Sequence, residues 1–194
     1  MKVVLILISI VFITFIAIQI YALKTQSSIE TYSYEVHQKY KTFEIRTYEE
    51  TLFTSVKLST SGYKDSSSKG FSILAGYIFG GNERNEKISM TSPVAMTLTD
   101  SMTMMFMVPK EFSKETLPKP NQSSITFKKE PKKIVASLHF SGWANDKKIE
   151  DAKQKLKSAL DQEGIAYSNR FCFLGYNAPY EVFNRRNEII VELK

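Results

Sequence analysis

The sequence predicts an α+β domain of two similar halves behind an N-terminal apolar helix, and three observations predict it. An uncharged run fills residues 3–23. Short stretches alternating apolar and polar residues recur through the rest of the chain, as half-buried strands do. Two helical stripes divide those strands into the order strands, helix, strands, then strands, helix, strands. That order suits a mostly antiparallel sheet covered by both helices.

The apolar run goes from Val3 to Leu23. As a helix rising about 1.5 Å per residue it spans roughly 30 Å, the thickness of a bilayer core. Residues 1–24 therefore read as a single-pass membrane anchor. The rival reading is a signal peptide, but the run is longer than a usual signal core and no small-x-small site follows it. Tyr21 stands where an interfacial aromatic belongs. The expected orientation leaves the N-terminus inside and the domain on the non-cytoplasmic side. Residues 25–31 are polar and read as a linker. Residues 32–194 remain as one domain, large enough to bury a core.

Within the domain, Tyr34–Lys39, Phe43–Tyr48 and Leu52–Leu58 alternate as strands. Ser59–Lys69 is rich in Ser and Gly and reads as a loop. Phe71, Leu74 and Ile78 then recur at helical spacing, with Ser66 to Ser68 as candidate N-caps and Gly80-Gly81 as the stop. Strands are expected at Val94–Leu98, Thr103–Val108, Ile125–Phe127 and Ile134–Phe140. Ile149, Ala152, Leu156, Ala159 and Leu160 make the stripe of a second helix, from Asn145 or Asp146 to Glu163, stopped by Gly164. Phe171–Tyr176 and Glu188–Leu193 close the chain as strands.

Composition narrows the function. Apolar residues make up 43% and charged residues 24%, as in an ordinary globular protein. Of the +6 net charge, Lys2 and Lys24 flank the apolar run. The remaining surplus is too small to imply nucleic acid. Lys128-Lys129 and Lys132-Lys133 straddle Pro131 as a solvated turn. The single cysteine, Cys172, excludes an internal disulfide and reads as a small buried hydrophobe. No Gly-x-Ser-x-Gly, phosphate-binding loop or His-x-x-x-His pair is present. Glu44 and Glu188 are acid/base candidates whose spacing singles out no pair, so the chain reads as a binder and not an enzyme.

Several segments, in order, resemble the SOUL haem-binding family. They are Phe43-Glu44-Ile45-Arg46-Thr47-Tyr48; Gly70-Phe71-x-x-Leu74-x-x-Tyr77-Ile78-x-Gly80-x-Asn82; Lys87-Ile88-x-Met90-Thr91-x-Pro93-Val94; Met104-x-Phe106-x-x-Pro109; Leu117-Pro118-x-Pro120; Phe140-x-Gly142-Trp143; Tyr176-Asn177-x-Pro179; and Arg185-Arg186-Asn187-Glu188-Ile189. The resemblance implies a distorted antiparallel β-barrel with two flanking helices. It also implies reversible binding of haem or another tetrapyrrole in a shallow apolar cleft. One family branch carries a histidine at the position of Thr47, proposed as an iron ligand; threonine cannot serve there.

A porphyrin is a flat apolar plate with two carboxylates, so it needs a hydrophobic cleft and a few placed cations. Met90, Met96, Met104 and Phe106 are the expected apolar contacts, since methionine adapts to irregular surfaces. Met102, Met104 and Phe106 should face one way, and Thr103, Met105 and Met107 the other. Arg84 and Lys87 are the expected propionate partners, while Arg185 and Arg186 read as solvated charges. His37 and His139 are the weak candidates for iron, both on polar strand faces. The alternative function is a membrane-tethered sensor or protein-interaction module that binds no haem.

Overall fold

The computed structural model describes residues 2–26, 29–59, 62–99 and 101–194. Its elements are α1 (Lys2–Gln26), β1 (Tyr34–Lys39), β2 (Glu44–Tyr48), β3 (Thr51–Lys57), α2 (Tyr63–Ile78), β4 (Val94–Thr97), β5 (Thr103–Met107), β6 (Ile125–Glu130), β7 (Lys133–Ser141), α3 (Asp146–Gln162), β8 (Tyr167–Gly175) and β9 (Arg186–Leu193). Residues 27 and 28 of the expected linker, and 60 and 61 of the expected Ser-rich loop, lie outside the described residues.

The strands pair antiparallel in one sheet, in the order β1-β2-β7-β9-β8-β4-β5-β3-β6. The sheet curls into a half-barrel. Tyr32, just before β1, shows the curl: its ring meets Tyr48 of β2 and Phe53 of β3, which stand near opposite edges of the strand order.

The expected duplication is visible in the topology. Strand β3, helix α2 and strands β4 and β5 form one unit with sheet order β3-β5-β4; β7, α3, β8 and β9 form the other, ordered β7-β9-β8. The units join where β4 pairs with β8. Each unit also takes its outer neighbour from the other half: β2 lies on β7, and β6 lies on β3.

Both faces of the sheet are covered. One face, with Met96, Met104, Phe106, Leu138, Ile189 and Val191, packs under the helices. The other turns inward, with Tyr48, Phe53, Ala95, Met105, Met107, Val135, Leu174 and Ile190. The expected split of the methionines therefore holds, and both sets are core. Ile149, Leu156 and Leu160 bury the inner face of α3, each contributing about 1.5–3 kcal/mol.

The two helix starts differ. Helix α3 caps itself, because the Asn145 side chain accepts from the Lys148 N–H at 2.9 Å. Helix α2 starts at Tyr63, earlier than the Ser66–Ser68 expectation, and has no local side-chain cap. The Asp146 carboxylate, from the start of α3, accepts the Tyr63 N–H at 2.6 Å instead. At Gly70, α2 lies so close to the sheet that an added Cβ would stand 3.1 Å from the Met104 sulfur.

Candidate functional site

A cleft of about 520 Å³ opens at the seam between the two halves, on the helix-bearing side. That volume is in the range of small-molecule sites. Its floor is Val94 and Met96 of β4, Met104 of β5 and Phe173 of β8. Pairing of Met96 with Met104 and with Phe173 puts these side chains on one face. Tyr63, Ser67, Ser68, Phe71 and Ser72 line the α2 wall, and Trp143 and Ala144 lead into α3. Asn177, Pro179 and Arg185 bring the β8–β9 loop to the rim.

Arg185 is the cation of this cleft. Its guanidinium lies 3.9 Å from the centre of the Trp143 ring. Its Nη atoms donate to main-chain carbonyls of Asn177, Ala178 and Glu181, which fixes the fork to its own loop. Its buried Nε has no hydrogen-bond partner. Burial pulls the Arg185 guanidinium below its usual value, with Glu181 and Tyr63 opposing the shift. Among the described residues it pairs with no carboxylate, so an acidic ligand group would find an uncommitted positive charge over an aromatic plate.

The other expected residues fall in different places. Met96 and Met104 line the cleft floor, and Phe106 stands behind it, edge-on to Phe71. Arg84 and Lys87 do not line it. They lie beyond the far end of α2, whereas the cleft uses its first turns, and a helix of this length spans roughly 24 Å. Arg84 pairs with Glu86 at 3.2 Å and donates to the Thr116 carbonyl. Asn82 ties this loop down: its amide donates to the Tyr77 and Glu86 carbonyls, and its oxygen accepts from the Arg84 and Glu86 N–H groups. Met90 lies with Glu30, Thr91 and Pro109 in a separate depression. His37 and His139 are exposed outside the cleft, and His37 Nε2 is hydrogen-bonded to Thr47 Oγ1 at 2.6 Å. Among the described residues, no three His, Cys, Asp or Glu side chains cluster as metal ligands.

The inward face holds a polar cluster that the sequence reading missed. Glu188 is fully buried. Arg46 donates to its Oε2 at 2.9 Å, as do the Tyr176 hydroxyl at 2.9 Å and Ser137 at 3.3 Å. Arg186 takes Oε1 with Nε and Nη2, at 3.0 and 2.6 Å. Arg46 lies over the Tyr34 ring and Arg186 over the Tyr176 ring. Burial alone would raise the Glu188 carboxyl; Arg46 and Arg186 outweigh it and hold the group below the usual carboxylate range. Burial, then Glu188, pushes Tyr48 up to about 12. Glu188 is thus a fixed anion between two guanidiniums, which suits a structural role better than proton transfer. Arg186 is committed to it and is not a solvated loop charge. The signal available in the sequence was a lone acid at the head of the run Ile189-Ile190-Val191.

Cleft chemistry and tetrapyrrole chemistry agree. The lining combines aliphatic, thioether and aromatic side chains with the hydroxyls of Ser67, Ser68 and Ser72, the amides of Asn177 and Asn187, and one cation, Arg185, at its edge. Its described residues include no histidine or cysteine. Such a set has the chemistry to hold a flat ring by apolar contact and an acidic edge at Arg185.

Fold and cleft together define a class: a duplicated α+β half-barrel with a small-molecule cleft at its seam. The profile of the SOUL heme-binding protein family matches residues 29–192, and the chain belongs to that family. Heme-binding protein 1 of Xenopus laevis is 26% identical over 155 residues, covering 76% of this chain and 81% of that protein. Heme-binding protein 2 of Homo sapiens is 26% identical over 156 residues, 76% of either chain. Among solved structures, the EcmrR C-terminal domain matches with a TM-score of 0.62 at 13% identity, over 83% of this chain and 98% of that one. A hydrolase from Listeria innocua matches at 0.55 and 8%, over 88% and 96%. At those identities the likeness concerns the fold alone.

Proposed function

We propose that the seam cleft binds haem or a related tetrapyrrole reversibly, as a carrier or buffer held at a membrane by α1. Family membership supports the ligand class, as do relatives named as heme-binding proteins. The observation that carries the site is Arg185, a cation with no carboxylate partner among the described residues, over Trp143 at the edge of the cleft. Met96, Met104 and Phe173 would support the ring, with Phe71 and Trp143 beside it. The ring would be held by apolar contact, and the chain would serve as a binder, not a catalyst.

The anchor reading is supported by Lys2–Tyr21, 20 residues long and apolar enough to cross a membrane, with no residue of it buried against the domain. We place the N-terminus on the cytoplasmic side and the domain on the other. Resistance to carbonate extraction and protection of the domain from external protease in inverted vesicles test both parts.

The ligand is tested by titrating the chain with haemin and with iron-free protoporphyrin, reading Soret absorbance and quenching of Trp143, the single tryptophan. Saturable one-to-one binding of both rings is expected. Binding of haemin alone would replace apolar capture by iron ligation. Binding of neither would remove the tetrapyrrole reading.

A further inference from the structure

We propose that the β8–β9 loop segment Tyr180–Phe183 inserts into the bilayer surface beside α1, so that the cleft exchanges its apolar ligand with the lipid phase instead of bulk water. The proposal rests on α1 spanning the bilayer, as argued above.

The loop that supplies Asn177, Pro179 and Arg185 to the cleft turns other side chains outward. Tyr180, Val182 and Phe183 are 52%, 42% and 58% exposed. Their exposure is built in, because hydrogen bonds inside the loop fix its shape. The buried Glu181 carboxylate accepts from Asn177 Nδ2 at 2.7 Å and from the Ala178 N–H at 3.0 Å. Arg185 closes the same turn from its other side. A held loop that presents an aromatic, a branched aliphatic and a second aromatic to the outside has the chemistry of an interfacial anchor.

Helix α1 identifies the surface that this cluster meets. Ser9 and Thr14 satisfy their hydroxyls within α1, on the carbonyls of Leu5 and Ile10. Gln19 reaches outward instead: its amide donates to the Tyr180 carbonyl at 3.0 Å and accepts from the Val182 N–H at 3.2 Å. A side-chain amide inside an apolar span needs such partners, and the loop's main chain provides both. Phe183 meets Phe15 edge to face, with ring centres 6.4 Å apart. Phe15 is six residues before Tyr21, roughly 9 Å deeper along the helix. A loop seated at that depth has its tip among acyl chains and its cleft-lining ends near the headgroups.

The test uses the full chain in phosphatidylcholine vesicles. An NBD fluorophore is attached through Phe183→Cys, or through Lys155→Cys on the exposed side of α3, each with Cys172→Ala. Flotation of the vesicles reports α1, and quenching by doxyl-labelled lipid reports the loop. Co-flotation with strong quenching at position 183 and little at 155 is expected. Co-flotation with equal quenching at both positions would overturn insertion while leaving the anchor in place. Loss of co-flotation would overturn both. This arm does not depend on the identity of the ligand.

A second arm follows haemin leaving preloaded vesicles for the chain. Tyr180→Ser with Val182→Ser and Phe183→Ser should slow transfer about tenfold at an unchanged Soret endpoint. An unchanged rate would overturn exchange through the lipid phase.

Discussion

Arg185 and Glu188 are separated in the chain by two residues, yet they serve opposite sides of one sheet. Glu188 faces inward, where Arg46, Arg186, Tyr176 and Ser137 occupy both of its oxygens. Arg185 faces the seam cleft, with its Nε unsatisfied and, among the described residues, no carboxylate partner. Full satisfaction in a low-dielectric interior locks a structure, whereas an incompletely satisfied cation at a cleft edge retains interaction capacity for a ligand. The inward cluster should therefore govern stability and the cleft should govern affinity, and each can be broken separately.

The largest effect is expected from Glu188→Gln, which takes the buried anion from the buried Arg46, leaving it only the part-exposed Glu44, and from the part-exposed Arg186. Breaking such a cluster costs about 3–5 kcal/mol, or roughly 10 °C in Tm for a chain of this size. Urea and thermal unfolding should both record it. An unchanged midpoint would mean that the cluster is solvated.

The same cluster contributes at both ends of the pH scale. Because the folded-state value of Glu188 is depressed, its contribution is present above the ordinary carboxylate range near about 4 and fades as pH falls through the folded value. Tyr48 is raised to about 12, so its contribution is complete below about 10 and is lost as pH climbs towards 12. Urea midpoints should accordingly fall at both ends of the scale. Tyr48→Phe should lessen the alkaline fall, to which the buried Tyr77, also pushed up to about 12, contributes as well, and leave the acid fall unchanged.

A smaller effect, confined to the other side, is expected from Arg185→Ala. Loss of a charge-assisted contact should weaken haemin binding about tenfold, with Tm moving by no more than a few degrees. A Tm fall matching that of Glu188→Gln would remove the contrast between the two sides. The smallest effect is expected from Lys87→Ala. With its side chain exposed outside the cleft, it should change haemin affinity by less than about twofold.

The parts of this arrangement legible in the sequence were those set by local periodicity. Strand alternation placed Met104 and Phe106 opposite Met105 and Met107, and the stripe from Ile149 to Leu160 gave α3 with its cap and its Gly164 stop at φ +67°. The split into two similar halves followed from element order alone. Less legible were features made by residues distant in the chain. The start of α2 depends on Asp146, 83 residues away. Arg46 and Glu188 meet across 142 residues, and no local pattern shows that they are partners. Arg84 and Lys87 read as cations near a methionine-rich stretch; in the fold they lie at the opposite end of α2 from the seam cleft. Arg185 looked like a loop charge because the turn that holds it is made by main-chain carbonyls.

The exchange of outer strands has a mechanical consequence. Because β2 lies on β7 and β6 on β3, each half is pinned to the other at the sheet's flanks as well as at the β4–β8 join. Hinge motions need a segment where few links cross, and here the crossings are distributed along the whole sheet. The seam therefore cannot gape like a two-lobed clamp. Access to it is left to rotamer changes and to movement of the rim, where displacement of the β8–β9 loop as a unit would change the size of the opening.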